Sequence, residues 1–371
     1  MATLNKIVVS VTNDLVSDNR VHKVCTTLES MGFTVLLVGR KLAYSVSVKQ
    51  RGYSTKRMQL VFKKGPLFYA EYNLRLFFLL LFSNYSVLLS NDLDTLTANF
   101  LASVIRSKPM VYDSHEFFTE VPELIGRPMV KGIWMWLEKK MVPRVKSAYT
   151  VSTSIAECYN KKYGTNFKVV RNFPVAVNKV REKKEPKAIK TVLYQGALNI
   201  GRGLQQAILA MHYLDKTKLV IAGDGDIKQE LEKLVETENL QKKVEFTGRL
   251  PIEELSELTS NADLGLSIEE DLGLNYRYAL PNKLFDYIQS HIPVLVTDLP
   301  EMKQIVNQYN IGEVAESLEP KKLAAIIKEA LFNENKRKVW LENLKGASKE
   351  LVLENEEKTL KEIFQPFIKL S

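Results

Sequence analysis

The sequence predicts an α/β protein of two doubly wound parallel-sheet domains, and three observations predict it. Its 371 residues exceed what one typical core needs and are about right for two. Short β-branched runs alternate with segments of helical apolar spacing over residues 6–170 and again from 191 onward, the pattern of parallel strands joined by crossover helices. Between them RNFPVAVNKVREKKEPKAIK, residues 171–190, has two prolines, a run of charge and no apolar period, so it reads as a linker.

The first half opens with the β-branched run Lys6–Val11, a helical segment Arg20–Met31 closed by Gly32, and a strand at Thr34–Val38. The intervening loop TNDLVSDN has no glycine, so an oxidoreductase-type dinucleotide fingerprint is absent. Its place at a strand's carboxyl end still makes Asn13, Asp18 and Arg20 candidates for acceptor contact. Basic residues crowd positions 40–64, ahead of the strongly apolar LFYAEYNLRLFFLLLF. That pairing reads first as a solvated loop beside a buried helix, and second as a peripheral contact with an anionic bilayer. Strands at Tyr85–Ser90 and Pro109–Asp113 then flank a helix from about Asp94 to Arg106.

YDSHEFFTEVPE, residues 112–123, places a histidine just past a strand. Among His22, His115, His212 and His291, only His115 combines a strand end with flanking acids, Asp113 and Glu116, and an imidazole is useful near neutral pH. A helix with Pro128 near its start follows, carrying Trp134, Trp136 and Leu137. Strands Ala148–Ser152 and Lys168–Val170 enclose a helix, Ser154–Tyr163, that stops at Gly164.

The second half restarts with Thr191–Tyr194 and the turn QGALNIGRGL, where Gly196, Gly201 and Gly203 allow tight turning and Arg202 stands at a helix start that suits a diphosphate. KLVIAGDGD runs into Gly223 and Gly225, and VEFTGRLP into Gly248 and Arg249. Three strands ending in glycine turns on one sheet edge point to a binding face. After the strand ADLGLS comes YALPNKLFDYIQSHIPVLVTDLPEM, residues 278–302. Pro281 suits the first turn of a helix that seats Leu284, Phe285 and Ile288 on one face, and the other carries Asn282 and Asp286 with Lys283 beside them. Ile292–Val296 reads as a buried parallel strand, and Glu319–Phe332, Asn335–Leu351 and Glu354–Ile368 are helical and charged.

Composition sets the class. Hydrophobic and charged fractions of 45% and 26% are those of an ordinary soluble globular protein. Cys25 and Cys158 each fall in an apparent helix and read as buried thiols of a reducing compartment, with no disulfide framework. The N-terminus has no signal-peptide pattern, and the longest apolar run, Leu76–Phe82, is far short of the ~20 residues a membrane span needs, so a cytoplasmic location is expected. The net charge of +9 is uneven, with 24 Lys+Arg against 12 Asp+Glu in residues 1–175 and 28 against 31 in the rest. A basic half suits a polyanion. No helix-turn-helix, zinc spacing or aromatic RNA-binding signature is present, so an anionic membrane face is expected and nucleic acid is not.

YQGALNIGRGL, VIAGDGD, VEFTGRLP, PNKLFDY and HIPVLVT, over roughly residues 190–315, resemble the donor domain of retaining glycosyltransferases of family 4, and DSHE over 113–116 resembles that family's D-x-H-E element. The resemblance implies the GT-B fold, two Rossmann-like doubly wound domains facing a central cleft. Residues 1–175 would bind the acceptor and 176–353 the nucleotide-diphosphate sugar donor, with a helix at about 354–371 packing back on the first domain. It implies Arg202 and Lys283 at the diphosphate, Asp286 at the ribose and His115 at the donor sugar, with Gly196, Gly223, Gly225, Arg249, Glu270 and Asn282 lining the donor. The resemblance implies no metal or resident cofactor, since GT-B enzymes as a group need no metal, and no protein nucleophile, since the acceptor attacks from the leaving-group face. The acceptor would be a glycan or lipid-linked glycan in cell-surface polysaccharide or glycoconjugate biosynthesis.

Some positions depart from the family pattern. Ala197 stands where an Arg is usual, so Lys283 or Arg249 must supply the second cation, and the first of two paired acids falls to Glu270 or its neighbour Glu269. Two D-x-D matches, Asp92 with Asp94 and Asp224 with Asp226, read as turn and cap residues rather than a metal site. The alternatives are an epimerase or hydrolase of nucleotide sugars on the same fold, or a non-catalytic binding protein.

Overall fold

The structure, a computed structural model, describes residues 5–16, 18–43, 45–121, 124, 126–176 and 188–368. The chain divides into two compact units, Met1–Asn172 with Glu356–Ser371, and Phe173–Asn355. Residues 177–187 of the expected linker lie outside the described residues.

Unit 1 runs β1 (Lys6–Ser10), α1 (Asn19–Ser30), β2 (Thr34–Lys41), β3 (Ser54–Gln59), α2 (Gly65–Phe82), β4 (Val87–Asn91), α3 (Leu93–Arg106), β5 (Met110–Ser114), α4 (Pro128–Met141), β6 (Ser147–Thr150), α5 (Thr153–Tyr163) and β7 (Lys168–Val169). The strands pair in parallel in the order β3-β2-β1-β4-β5-β6-β7. Ile7, Val8 and Val9 of the central strand are fully buried because helices cover both faces, which is why the run is apolar throughout instead of alternating. β3 is not foreseen by the sequence. STKRMQ carries no apolar alternation, and at the sheet edge it needs none, because charged side chains there also block edge-to-edge pairing.

Unit 2 runs β8 (Lys190–Gln195), α6 (Leu204–Ala210), β9 (Thr217–Ala222), α7 (Lys228–Thr237), β10 (Val244–Gly248), α8 (Ile252–Ser260), β11 (Leu264–Ser267), α9 (Leu274–Arg277), α10 (Asn282–Gln289), β12 (Val294–Thr297), α11 (Pro300–Tyr309), β13 (Gly312–Ala315), α12 (Pro320–Phe332) and α13 (Glu334–Glu350). Its parallel order is β10-β9-β8-β11-β12-β13. The last helix, α14 (Leu353–Phe364), places Leu360 and Phe364 in the unit 1 core with Leu28 and Phe33, and Glu357 accepts from Thr27 at 2.9 Å.

Both sheets build outward from their first strand in one direction and then, from the fourth strand on, in the other. That reversal opens a crevice at the carboxyl ends of the two middle strands, β1 and β4 in unit 1 and β8 and β11 in unit 2. Two local expectations change. Pro281 is the N-cap of α10 (φ −65°, ψ 137°), one residue before the first turn, because its extended ψ lets the chain enter the helix. Cys25 is buried, with burial pushing its thiol up, whereas Cys158 is partly exposed on the flank of α5.

Candidate active site

In unit 2 the strand-end turns lock together at the crevice. Gly196 N–H donates to Ala222 O and Gly223 N–H to Gly248 O, both at 2.9 Å. A Cβ on Gly223 would stand 1.9 Å from Gly196 O, so only glycine permits the approach. Gly203, at φ +66°, ends the first turn, and a Cβ there would stand 2.3 Å from Ile268 O. This brings the loop after β8 against the loop after β11.

That approach delivers Arg202 to Glu269. Arg202 Nη1 lies 3.2 Å and Lys283 Nζ 2.8 Å from the same Glu269 oxygen, Oε1, while Ser267 Oγ donates to Oε2 at 3.0 Å. Glu269 is fully buried. Burial alone would raise its carboxyl, but Lys283 and Arg202 outweigh it and hold the group below the usual carboxylate range. Lys283 also lies over the Tyr194 ring at 3.9 Å, and Arg202 over Tyr276 at 5.0 Å. The buried Nε of Arg202 has no hydrogen-bond partner among the described residues, leaving a donor to be satisfied. Because α6 has only seven residues, these side chains, more than a helix dipole, make the site cationic.

Asp286 sits three residues beyond Lys283 on α10. Thr259 Oγ1 donates to Gln195 Oε1 at 2.6 Å, and Gln195 Nε2 donates to Asp286 Oδ2 at 2.9 Å, so a chain of side chains fixes the carboxylate. Tyr287 Oη accepts from Gln195 N at 3.1 Å and anchors the same helix to β8. Of the other expected residues, Glu270 is partly exposed and joins the site through its backbone N–H to Gly201 O at 2.8 Å, while Glu269 takes the ionic contacts. Arg249 is 82% exposed and pairs with Asp224 at 3.6 Å, away from Glu269's partners, so Lys283 is the cation that joins Arg202. Asn282 is exposed at the start of α10, and Gly225 packs under Leu198 O. Gln195 and Thr259 are the residues sequence reasoning missed, and of the two acids it left open, Glu269 rather than Glu270 turns inward. The adjacent acids at 269–270 were the only signal, and neither spacing nor charge tells which turns inward.

The unit 1 crevice holds a second cluster. Arg20 donates to both Asp113 oxygens, at 3.2 and 2.8 Å, and to Val170 O at 3.0 Å; it is buried, so it is no acceptor contact. Asp18, likewise expected at the acceptor, caps α1 by accepting from Val21 N at 3.1 Å. His115 Nε2 lies 3.1 Å from Asp113 Oδ2 and Nδ1 lies 3.2 Å from Asp92 Oδ2. Asp92 holds φ +57° and ψ 168°, a conformation side chains avoid, with its Oδ1 accepting from His115 N at 2.8 Å. Burial opposes charge on His115, yet Asp92 and then Asp113 raise it to about 9, so it is an imidazolium at neutral pH and not a group poised to titrate there. Burial likewise opposes charge on Asp113, but Arg20 and His115 hold it at about 2. Asp94 accepts from Thr12. The first D-x-D pair is therefore engaged with a histidine and a threonine.

Residues 177–346 match the family model described as Glycosyl transferases group 1. The match falls within the second unit, Phe173–Asn355. The chain has the GT-B fold of two parallel-sheet α/β domains. Sucrose-phosphate synthase from Thermosynechococcus elongatus superposes with a TM-score of 0.79 at 14% identity, covering 98% of each chain. The Anabaena protein HepE in complex with UDP-glucose gives 0.74 at 15% identity, covering 97% of this chain and 99% of that one. WaaG, a glycosyltransferase involved in lipopolysaccharide biosynthesis, gives 0.67 at 17% identity, covering 96% and 99%. No curated protein matches this chain by sequence.

Proposed function

We propose that this chain is a glycosyltransferase that moves a sugar from a nucleotide-diphosphate sugar to a glycan or lipid-linked acceptor with retention at the anomeric carbon and without a metal, as a step in making cell-surface polysaccharide or glycoconjugate. The observation that carries the reading is the pair of cations, Arg202 and Lys283, on one oxygen of Glu269 at the crevice of unit 2. Two cations against one carboxylate leave positive charge where a diphosphate leaving group would need it.

In this reading the bond from the anomeric carbon to the diphosphate oxygen breaks, and its electrons pass to the diphosphate. The acceptor oxygen bonds to the same face of that carbon, and its proton goes to the departing phosphate oxygen. Arg202 and Lys283 stabilise the charge that develops, and pre-placed charge of this kind usually makes the largest catalytic contribution. Asp286, held by Gln195, accepts from the ribose hydroxyls. His115, whose two ring N–H groups are held by Asp113 and Asp92, is the unit 1 group assigned to the transferred sugar in this reading, acting through its position and charge. The engagement of Asp92 and Asp94 by His115 and Thr12 supports a metal-free reaction.

Since HepE is solved with UDP-glucose, that donor is the first to test. Incubation with labelled nucleotide sugars and an extract of glycolipids, with and without a chelator, should give label in the acceptor in both arms, with the anomeric configuration of the donor kept by NMR. Free sugar or an epimer as the product would make it a hydrolase or epimerase. Loss of transfer on chelation, or inversion, would overturn the corresponding part.

A further inference from the structure

The helices on one side of the unit 1 sheet leave an apolar face uncovered. α2 buries Phe68, Tyr72, Leu76 and Leu80 and turns Leu67, Leu74, Phe78 and Phe82 outward, so one helix carries two opposed apolar stripes. The sequence reads α2 first as a core helix, and only half of it is. α4 repeats the arrangement, with Trp134 and Met141 inward and Met129, Ile133 and Trp136 outward. α3 packs against both helices and adds Val104 and Ile105, and Arg106 at its end bonds Leu81 O and Ser83 O at the end of α2. The stripes are thus neighbours. Phe82 is 81%, Met129 83% and Trp136 60% exposed, and with the exposed residues of α3 they put large apolar side chains on three successively packed helices.

Charge around the patch has one sign. Lys63 and Lys64 precede α2, and Lys139 and Lys140 close α4; all four are exposed and none forms an ion pair among the described residues. The acids on these elements are already neutralised. Glu71 is bound by Arg75 at 2.7 Å and by the N–H groups of Val61 and Phe62, Glu120 by Lys131 at 2.9 Å, and the buried Glu138 by Lys162 at 2.8 Å. Crossover helices of a parallel sheet run in one direction, so the lysines lie at opposite ends of the patch.

We propose that this face docks on an anionic lipid surface, with Phe82, Met129 and Trp136 in the acyl boundary and the lysines against lipid phosphates. A bilayer satisfies both features at once. A second copy of the chain would bring one basic face against another. No helix among the described residues is long and apolar enough to cross a membrane, so the contact is peripheral. The proposal goes beyond the donor reading and does not depend on it.

The test is sedimentation of the full chain with vesicles of phosphatidylcholine alone and of phosphatidylcholine with phosphatidylglycerol, at low and high salt. The chain should bind only the anionic vesicles and should come off with salt. Lys139→Glu with Lys140→Glu should weaken binding about tenfold or more. Phe82→Ser with Trp136→Ser should do the same with melting unchanged. Brominated lipids should quench tryptophan fluorescence, and Trp136→Phe should abolish that quenching while binding persists. Binding to neither or equally to both vesicles would overturn the proposal, and so would charge-reversal variants that bind like wild type. A concentration-dependent dimer that Phe82→Ser with Trp136→Ser disperses, without vesicle binding, would give the face to a second copy.

Discussion

The two crevices occupy the same place in two similarly ordered sheets, yet their charges differ. In unit 1 two carboxylates, Asp92 and Asp113, meet two cations, Arg20 and His115, and the cluster is closed on itself. In unit 2 two cations meet one carboxylate, and an Arg202 donor has no partner. A buried ionic group must be compensated, so a closed cluster stabilises the fold and an open one awaits an anion. Shared topology fixes where such groups gather; the balance of charge decides which crevice takes the diphosphate.

The largest effect that would break this contrast is on stability in unit 1. His115→Ala leaves the partly exposed Asp92 without its cation, while Asp113 keeps Arg20, and should destabilise that unit by up to about 3 kcal/mol, the lower end for removing one partner of a buried pair, with turnover falling as well. Hydrogen exchange of the β4 and β5 amides reads it directly. Unchanged exchange would mean that the cluster is not a structural unit. The same cluster sets a pH dependence. His115 is raised from 6.5 to about 9, so its contribution is complete below about pH 6.5 and is lost as pH climbs toward 9. Asp92, raised chiefly by burial, acts in the same direction. Asp113 acts oppositely, its contribution fading only as pH falls from 3.8 toward 2. Protection of β4 and β5 should therefore drop between about pH 6.5 and 9 in wild type and show much less slope in His115→Gln.

In unit 2, Lys283→Met removes one of two cations and should lower kcat by roughly a hundredfold or more with little change in global melting, the range for losing one charge-stabilising donor. Arg202 still compensates Glu269, which is why stability should suffer less than in His115→Ala. A variant that melts far below wild type would make Lys283 a structural partner of Glu269 first. Asp286→Ala should weaken nucleotide-sugar binding by roughly 1.5–3 kcal/mol, and Asp286→Glu should be mild. Smaller still, Gln195→Ala should weaken donor affinity by about 1 kcal/mol, the value of one ordinary hydrogen bond, and Thr259→Val should do so by less. If Gln195→Ala matches Asp286→Ala in effect, Gln195 touches the donor itself.

Much of the fold was legible because buried strands such as β1 and β12 are short apolar runs rich in β-branched residues and several helices have a breaker or cap at an end: Gly32 after α1, Gly164 after α5, Pro281 before α10. Edge strand β3 escaped because its residues face solvent and carry no period. The site was legible as residue types at strand ends and illegible as pairings. Arg202, Glu269 and Lys283 lie on three different elements, and only the closeness that Gly203 permits makes them one cluster. Likewise His115 reads as a neutral-pH imidazole until Asp92, more than twenty positions away in sequence, is seen against its ring. Arg20 illustrates the converse, since a strand-end arginine that resembles a ligand contact is held inside by Asp113.

The open-cluster claim is tested most directly by calorimetric titration of the full chain with UDP, GDP and ADP, each against its nucleoside, in wild type and in Lys283→Met. At least one diphosphate should bind far more tightly than its nucleoside, and the advantage should largely vanish in the variant while nucleoside affinity stays the same. Diphosphates that bind no better than their nucleosides, or an advantage that Lys283→Met leaves intact, would contradict it.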